Sequence, residues 1–136
     1  MQVDLSLSEN NRELIDLLRR IEGENPDIQG LAVVSIQGLP ICSTLPEDTN
    51  YELISAICAA IVSMSKHGVK ELTRGGFKRI LIEGTYGFIK ISKISLPKMD
   101  MKAILCTLLK KETSIGDLTR YFDQKPPKMK DIAYVE

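Results

Sequence analysis

The sequence predicts an α/β fold of the α+β type, in which a mostly antiparallel sheet carries helices on both faces. The chain is organised as helix, two strands, long helix, three strands and helix, the order αββαβββα. Because no strand–helix–strand unit repeats, a doubly wound parallel sheet is disfavoured. Residues 102–110 are apolar on both strand faces, which is typical of a sheet covered on both sides. We therefore expect a five-stranded antiparallel sheet with the long helix on one face and two helices on the other.

The first third of the chain predicts an amphipathic helix that leads into a strand hairpin. Ser8 is suited to cap this helix, and apolar residues then recur at helical spacing as far as Ile21. Two β-rich runs follow within residues 31–45. They are separated by a turn in which Gly38 supplies the positive φ that a tight hairpin requires.

The most informative stretch is residues 50–74, which predict a single long helix capped by Thr49 or Asn50. Between Leu53 and Met64 this helix carries no charge, so it has no side suited to water. Its larger residues are expected to face a core: Leu53, Ile54, Ile57, Cys58, Ile61, Val62, Met64, Val69 and Leu72. Small residues form most of the other side: Ala56, Ala59, Ala60 and Ser63. Small side chains admit the backbone of another element, and we predict that this element belongs to a second copy of the chain.

The second half predicts another hairpin over residues 77–94, a strand over 102–110 and a final helix over 114–124. The first of these strands follows the long helix, and three of its residues are expected to share one face: Phe77, Arg79 and Leu81. If this strand lies at the edge of the sheet, its unpaired backbone groups need cover. Either another strand of the same chain or a two-fold related partner can supply it.

Composition and charge exclude several classes of function. The 136 residues, 43% of them hydrophobic, suit one folded domain over residues 1–122 and a polar C-terminal tail over residues 123–136. The formal net charge is zero, which gives no electrostatic basis for nucleic acid as the main ligand. A run of about 18 apolar residues and a signal-peptide pattern are both missing. We therefore expect a cytoplasmic protein that meets a membrane at most indirectly, through a partner.

The residues with chemical potential do not favour an enzyme. Cys42, Cys58 and Cys106 are widely spaced in apolar runs, which indicates small buried residues rather than a disulfide framework or a zinc site. Ser63 and His67 share a helix face, but such a ladder has no oxyanion hole or pocket of its own. The glycines lack the spacing of a P-loop or a dinucleotide site, and the acidic residues form no metal-binding set. We predict no catalytic residue, no metal and no cofactor.

Taken together, these segments resemble the Roadblock/LC7 family over about residues 13–122. The segments GLAVVSIQGLPICST, ISAICAAIVSMSKHGVKEL and FKRILIEGTYGFIKI are similar to the first hairpin, central helix and second hairpin of that family. The leading ELIDLLRRIE and the closing AILCTLLKKETSIGDLTRYF extend the resemblance, with Gly116 and Leu118 in the family's G-x-L arrangement. The related longin fold lacks the leading helix, which counts against it.

The resemblance implies a non-catalytic protein that forms dimers, in which the central helices pack together and the strands that follow them pair. Carried over to this chain, the partner is a second copy or a paralogous roadblock protein. The implied dimer interface consists of residues on the helix and the next strand: Ala56, Ala59, Ala60, Ser63, His67, Phe77, Arg79 and Leu81. Family members bind and regulate small Ras-like GTPases. Cations at the rim of the paired helices are the candidates for that contact: Lys66, Lys70 and Arg74.

We therefore hypothesise a dimeric scaffold or regulator of a small Ras-like GTPase, with a GTPase-activating or platform role. The alternative is an adaptor subunit of a multi-protein complex, similar to a dynein light chain, without GTPase contact. A third interpretation is a cysteine redox sensor.

Overall fold

The computed structural model describes residues 5–113 and 132–135 of the chain. Its helices are α1 (Leu5–Glu24) and α2 (Tyr51–Thr73), with a short 3-10 turn over Pro97–Met99. Its strands are β1 (Ile28–Ser35), β2 (Pro40–Ser43), β3 (Arg79–Glu83), β4 (Gly87–Leu96), β5 (Met101–Lys110) and β6 (Tyr134–Val135). The predicted order is confirmed as far as β5, and the predicted final helix, residues 114–124, lies outside the described residues.

The sheet is antiparallel throughout, with the strand order β2-β1-β5-β4-β3. The five predicted strands are thus confirmed. A sixth, β6, was not predicted, and it pairs with β4 through Ile94↔Val135 and Ser95↔Tyr134. Because β3 pairs with β4 from Phe88 to Ser92, β6 and β3 occupy successive parts of the same side of β4. The end of the polar tail is therefore docked on the domain, with Ala133 buried.

Two apolar cores lie on opposite faces of the sheet. On the first face, α1 packs Leu14, Leu17 and Leu18 against sheet residues such as Leu31 and Val33. On the second face, α2 packs Cys58 and Val62 against sheet residues such as Ala32, Ile91 and Ile104. The helix α1 begins at Leu5, so the prediction that Ser8 caps it is wrong; Ser8 lies within the helix. The amphipathic repeat predicted which side of this helix is buried, but it did not predict the residue at which the helix begins.

The bounds of α2 follow the sequence closely. The side chain of Asn50 caps the helix, its Oδ1 accepting a hydrogen bond from the backbone N–H of Leu53 at 3.2 Å. At the other end Arg74 adopts the left-handed conformation, φ 59°, and its N–H donates to the carbonyl oxygen of Lys70. The hydroxyl of Tyr51 lies within hydrogen-bonding reach of the carbonyl oxygens of Val33 and Cys42, which ties the first turn of α2 to the β1–β2 hairpin.

The start of β4 is closely packed against β5, and this gives a first prediction. A Cβ atom at Gly87 would lie 2.6 Å from the carbonyl oxygen of Leu109, a backbone atom that cannot rotate away. We expect Gly87→Ala to lower the free energy of unfolding by about 1–3 kcal/mol. Gly23→Ala in α1 is the matched control, because a Cβ there meets nothing within 4 Å. It should raise stability slightly. Chemical denaturation measures both, and equal stability of the two variants would contradict the prediction.

Candidate interaction surface

The outward side of α2 carries large apolar residues that one chain leaves uncovered. Ile57 is 48% exposed and Met64 is 73% exposed, and Leu53 and Leu72 are exposed as well. The prediction that these residues face the core is therefore wrong. The residues of α2 that are buried against the sheet are Ser55, Cys58 and Val62. The hydroxyl of Ser55 is satisfied there, since it donates to the carbonyl oxygen of Tyr51 at 2.7 Å.

An apolar groove separates α2 from the β3 side of the sheet. The helix packs mainly over β1, β2 and β5, and the part of the sheet formed by β3 and β4 lies beside it. A cavity of about 210 Å³ lies between them. We define the apolar groove by six of its lining residues: Ile54, Ile57, Ile61, Ile82, Ile89 and Leu108. Because these residues are all apolar, the groove is suited to an apolar occupant rather than to a charged or polar ligand.

The strand β3 borders the groove and forms one edge of the sheet. Among the strands of the described residues, it pairs with β4 alone. Ile80 and Ile82 pack with the α2-side core. Arg79 and Leu81 alternate to the opposite face and are exposed, as predicted from the strand period. An edge strand offers unpaired backbone N–H and C=O groups to another strand, and here that edge runs beside an unfilled apolar groove.

Phe77 does not share the face of Arg79 and Leu81, and that part of the prediction is wrong. Its side chain is 6% exposed and packs in the α2-side core, with Lys93 Nζ 5.8 Å from the centre of the ring. Strand alternation does not extend to it because β3 begins only at Arg79. Phe77 is thus occupied by contacts within its own chain.

The small-residue side of α2 is partly used within the chain. A Cβ atom at Gly38, in the β1–β2 turn, would lie 3.4 Å from both Ala56 Cα and Ala59 Cβ. The small side chains of these alanines therefore allow the backbone of the chain's own β1–β2 hairpin to approach α2 closely. Ala60, Ser63 and His67 remain exposed. Packing of a second copy against them stays a prediction.

The three predicted cations follow one flank of α2. Lys66, Lys70 and Arg74 are spaced four residues apart and are all exposed. With a rotation of about 100° per residue, Lys66 and Lys70 lie on the flank opposite to Ile54, Ile57 and Ile61, and Arg74 follows at the C-cap, where its left-handed backbone ends the helical repeat. A protein seated in the apolar groove would therefore leave this cationic flank accessible. No group of metal-binding side chains converges within residues 5–113 and 132–135.

By length and composition, α2 is also long and apolar enough to cross a membrane, although it has no run of about 18 apolar residues. Such composition is shared by the core helices of soluble proteins. In this chain one side of the helix is buried against the sheet at Ser55, Cys58 and Val62, and Tyr51 reaches the β1–β2 hairpin by hydrogen bonding. These contacts explain part of its apolar character.

Several solved structures with the same fold carry Roadblock/LC7 domains or are MglB proteins. An MglB structure with a tetrameric arrangement has a TM-score of 0.66 at 10% identity, covering 82% of this chain and 81% of that chain. The Roadblock/LC7 domain from Streptomyces avermitilis has a TM-score of 0.63 at 13% identity, covering 78% and 84%. The gliding protein MglB from Thermus thermophilus has a TM-score of 0.65 at 10% identity, covering 89% and 85%. At these identities the likeness concerns the fold.

The family follows from the sequence itself. No curated protein matches the chain by sequence. The Roadblock/LC7 domain model, however, matches residues 13–94, which is more than half of the 136 residues. That match spans the second half of α1, the β1–β2 hairpin, α2 and most of the following hairpin, and it includes the helix and edge strand that border the groove. The chain belongs to the Roadblock/LC7 domain family.

Proposed function

We propose that this protein is a non-catalytic, cytoplasmic dimer that binds a small Ras-like GTPase and regulates or scaffolds it. The observation that carries the proposal is the uncovered apolar side of α2 next to the apolar groove and the outer edge of β3. Family membership supports the same function, because roadblock proteins are generally regulators or adaptors. The surface offered by one chain is incomplete, so the proposed functional unit contains at least two.

A second copy is the occupant that suits the groove best. A two-fold interface uses one patch twice, and the patch here contains both a groove and the apolar side chains that would fill it, at Leu53, Ile57 and Met64. Pairing β3 with its own copy would extend the sheet and satisfy the backbone of both edges. The tetrameric arrangement of one MglB structure supports self-association as a family property.

Such a dimer would remove large apolar side chains of α2 from water. Each large apolar side chain that passes from water into an interface contributes about 1.5–3 kcal/mol before the cost of association. Leu53, Ile57 and Met64 are partly buried already, so each would contribute the share of this energy that corresponds to its exposed surface, and the six side chains of two subunits together oppose that cost. We infer that the groove is filled in solution.

We assign the GTPase contact to the cationic flank of α2. Lys66, Lys70 and Arg74 stay on the accessible flank when the groove is filled, and their charge favours an acidic patch on the partner. The net charge of the chain is zero, so this attraction is local rather than a property of the whole molecule. Neither Arg74 nor any other residue is assigned a catalytic role in GTP hydrolysis.

Charge reversal tests this assignment. The triple variant Lys66→Glu, Lys70→Glu, Arg74→Glu is expected to weaken GTPase binding by about tenfold or more, since each exposed ion pair contributes about 0.2–1 kcal/mol and its reversal adds repulsion. Binding to Ras-like GTPases of the source organism, loaded with GDP or a GTP analogue, is measured by pull-down and calorimetry. Raising the salt concentration should narrow the difference between variant and unmodified protein.

The matched control reverses three exposed cations on α1, at Arg12, Arg19 and Arg20. It changes the net charge equally and should leave binding unchanged. Equal loss in both triple variants would show that general charge, rather than the flank of α2, governs binding. If the unmodified dimer binds no GTPase in either nucleotide state, the GTPase function is wrong. The light-chain-like adaptor and the cysteine redox sensor are then the remaining functions.

A further inference from the structure

Two of the three cysteines face each other across the boundary between α2 and the sheet. Cys58 lies on the buried side of α2, and Cys106 lies on β5 in the same apolar core, close enough for a hydrogen bond between the two side chains. Both are free thiols with 4% exposure, and both line the cavity of the apolar groove. Cys42 is separate, because it packs against the core on the α1 side of the sheet.

The environment of the pair makes the two thiols chemically unequal. A hydrogen bond with Cys106 lowers the pKa of the Cys58 thiol, against the opposing influence of burial. The same hydrogen bond, together with burial, raises the pKa of the Cys106 thiol. A lowered pKa increases the thiolate fraction of Cys58, so we assign the attacking role to Cys58 and the resolving role to Cys106. At Cys42 burial raises the pKa of the thiol to about 12, so this cysteine is unreactive by comparison.

We propose that Cys58 and Cys106 form a reversible disulfide when the protein meets hydrogen peroxide, linking α2 to β5 beneath the apolar groove. The Cys58 thiolate attacks one peroxide oxygen, the O–O bond breaks, and water and a sulfenic acid are formed. The Cys106 sulfur then attacks the Cys58 sulfur, the S–O bond breaks, and a second water leaves. Two thiols and one peroxide give one disulfide and two waters, so the two electrons lost by sulfur reduce the peroxide.

The cavity selects the oxidant by size and charge. Its volume of about 210 Å³ exceeds what a molecule of peroxide needs. Peroxide is polar but neutral, so its transient entry costs hydrogen bonds to water and does not bury a charge. Glutathione disulfide is large and charged, so it is excluded from an apolar cavity lined by Ile57 and Ile61. A second subunit in the groove would close this entry. That gating, unlike the disulfide itself, rests on the proposed dimer.

The test uses the full-length reduced protein, treated with hydrogen peroxide or with glutathione disulfide, then unfolded and alkylated. With peroxide, the intact mass should fall by about 2 Da before alkylation, only Cys42 should remain alkylatable, and peptide mapping should find a Cys58–Cys106 link that dithiothreitol reverses. Glutathione disulfide should give no adduct. Cys42→Ser should retain the disulfide, whereas Cys58→Ser and Cys106→Ser should each lose it.

Several results would overturn the proposal. Absence of the link while the unfolded protein forms disulfides readily under the same treatment would refute it, as would a link that includes Cys42.

The gating is tested separately by measuring the rate of oxidation at protein concentrations above and below the dissociation constant of the dimer. Oxidation should be slower when the dimer predominates. An equal rate would refute gating alone, and a protein that is monomeric at all concentrations would refute the dimer while leaving the disulfide testable by mass.

Discussion

Replacing Ile57 by Arg is expected to leave the chain folded and to abolish its dimer. Ile57 is 48% exposed in the single chain, so an Arg there can reach water and costs the monomer little. In the proposed dimer the same position is covered by the partner, and a buried charge without a counter-charge costs about 3–5 kcal/mol. The dissociation constant should therefore rise by a factor on the order of a hundred to a few thousand. Sedimentation velocity measures the loss, and far-UV circular dichroism should stay unchanged.

The control compares the two sides of α2 directly. Ala60→Arg and Ser63→Arg place the same charge on the side of small residues, for which the sequence predicts the contact with a second copy. If Ile57→Arg dissociates the dimer and Ser63→Arg does not, the apolar groove is the interface. If Ser63→Arg and Ala60→Arg dissociate it while Ile57→Arg does not, the small-residue side is the interface. Should all three stay dimeric with unchanged affinity, α2 lies outside the interface altogether.

The sequence predicted the elements well because their ends are marked by local chemistry. Asn50 carries the amide that caps α2, Gly75-Gly76 follows its last turn, and Gly38 has the positive φ, 93°, that the first hairpin needs. Alternation along β4 agrees with the packing, since Phe88 and Ile94 lie in the core on the α1 side and Ile89 and Ile91 in the core on the α2 side. Each of these signals lies within a few residues of the feature it determines.

The rotation of α2 about its axis could not be predicted in the same way. A helix with one apolar stripe reveals its buried side, but residues 53–64 lack charge on every side. Two orientations are then equally consistent with the pattern, and packing against the sheet decides between them. That packing buries Ser55, Cys58 and Val62 and leaves Ile57 and Met64 exposed. The uncharged run predicts a second partner, but it does not reveal which side of α2 that partner covers.

Contacts between residues far apart in the chain could not be predicted from local sequence patterns either. The pairing of β6 with β4 joins residues about forty positions apart, and the two-residue strand carries too little period to be recognised. Phe77 was misplaced because alternation was extended past the first residue of β3. The contact between Cys58 and Cys106 joins a helix to a strand, so it depends on the same rotation of α2. The candidate interface and the thiol pair therefore both depend on the rotation of α2 about its axis, which the sequence pattern does not determine.

Ile104→Ala is expected to lower the free energy of unfolding by about 2–5 kcal/mol without altering association. Ile104 lies on β5 with no exposed surface and belongs to the core beneath α2, so its truncation leaves a cavity that no partner can reach. Leu72→Ala is the matched control, because Leu72 is 87% exposed and its truncation should change stability by less than about 0.5 kcal/mol. Denaturant unfolding of both variants provides the comparison.

Repeating the unfolding at several protein concentrations separates the core from the interface. Dimerisation stabilises the folded state by mass action, so the unfolding midpoint of the unmodified protein should rise with concentration. Ile104→Ala should lower the midpoint by a similar amount at every concentration and keep that dependence, whereas Ile57→Arg should remove the dependence. If Ile104→Ala abolishes the concentration dependence while the protein is still folded, the two faces of α2 are coupled, and the interface depends on the core that supports the helix.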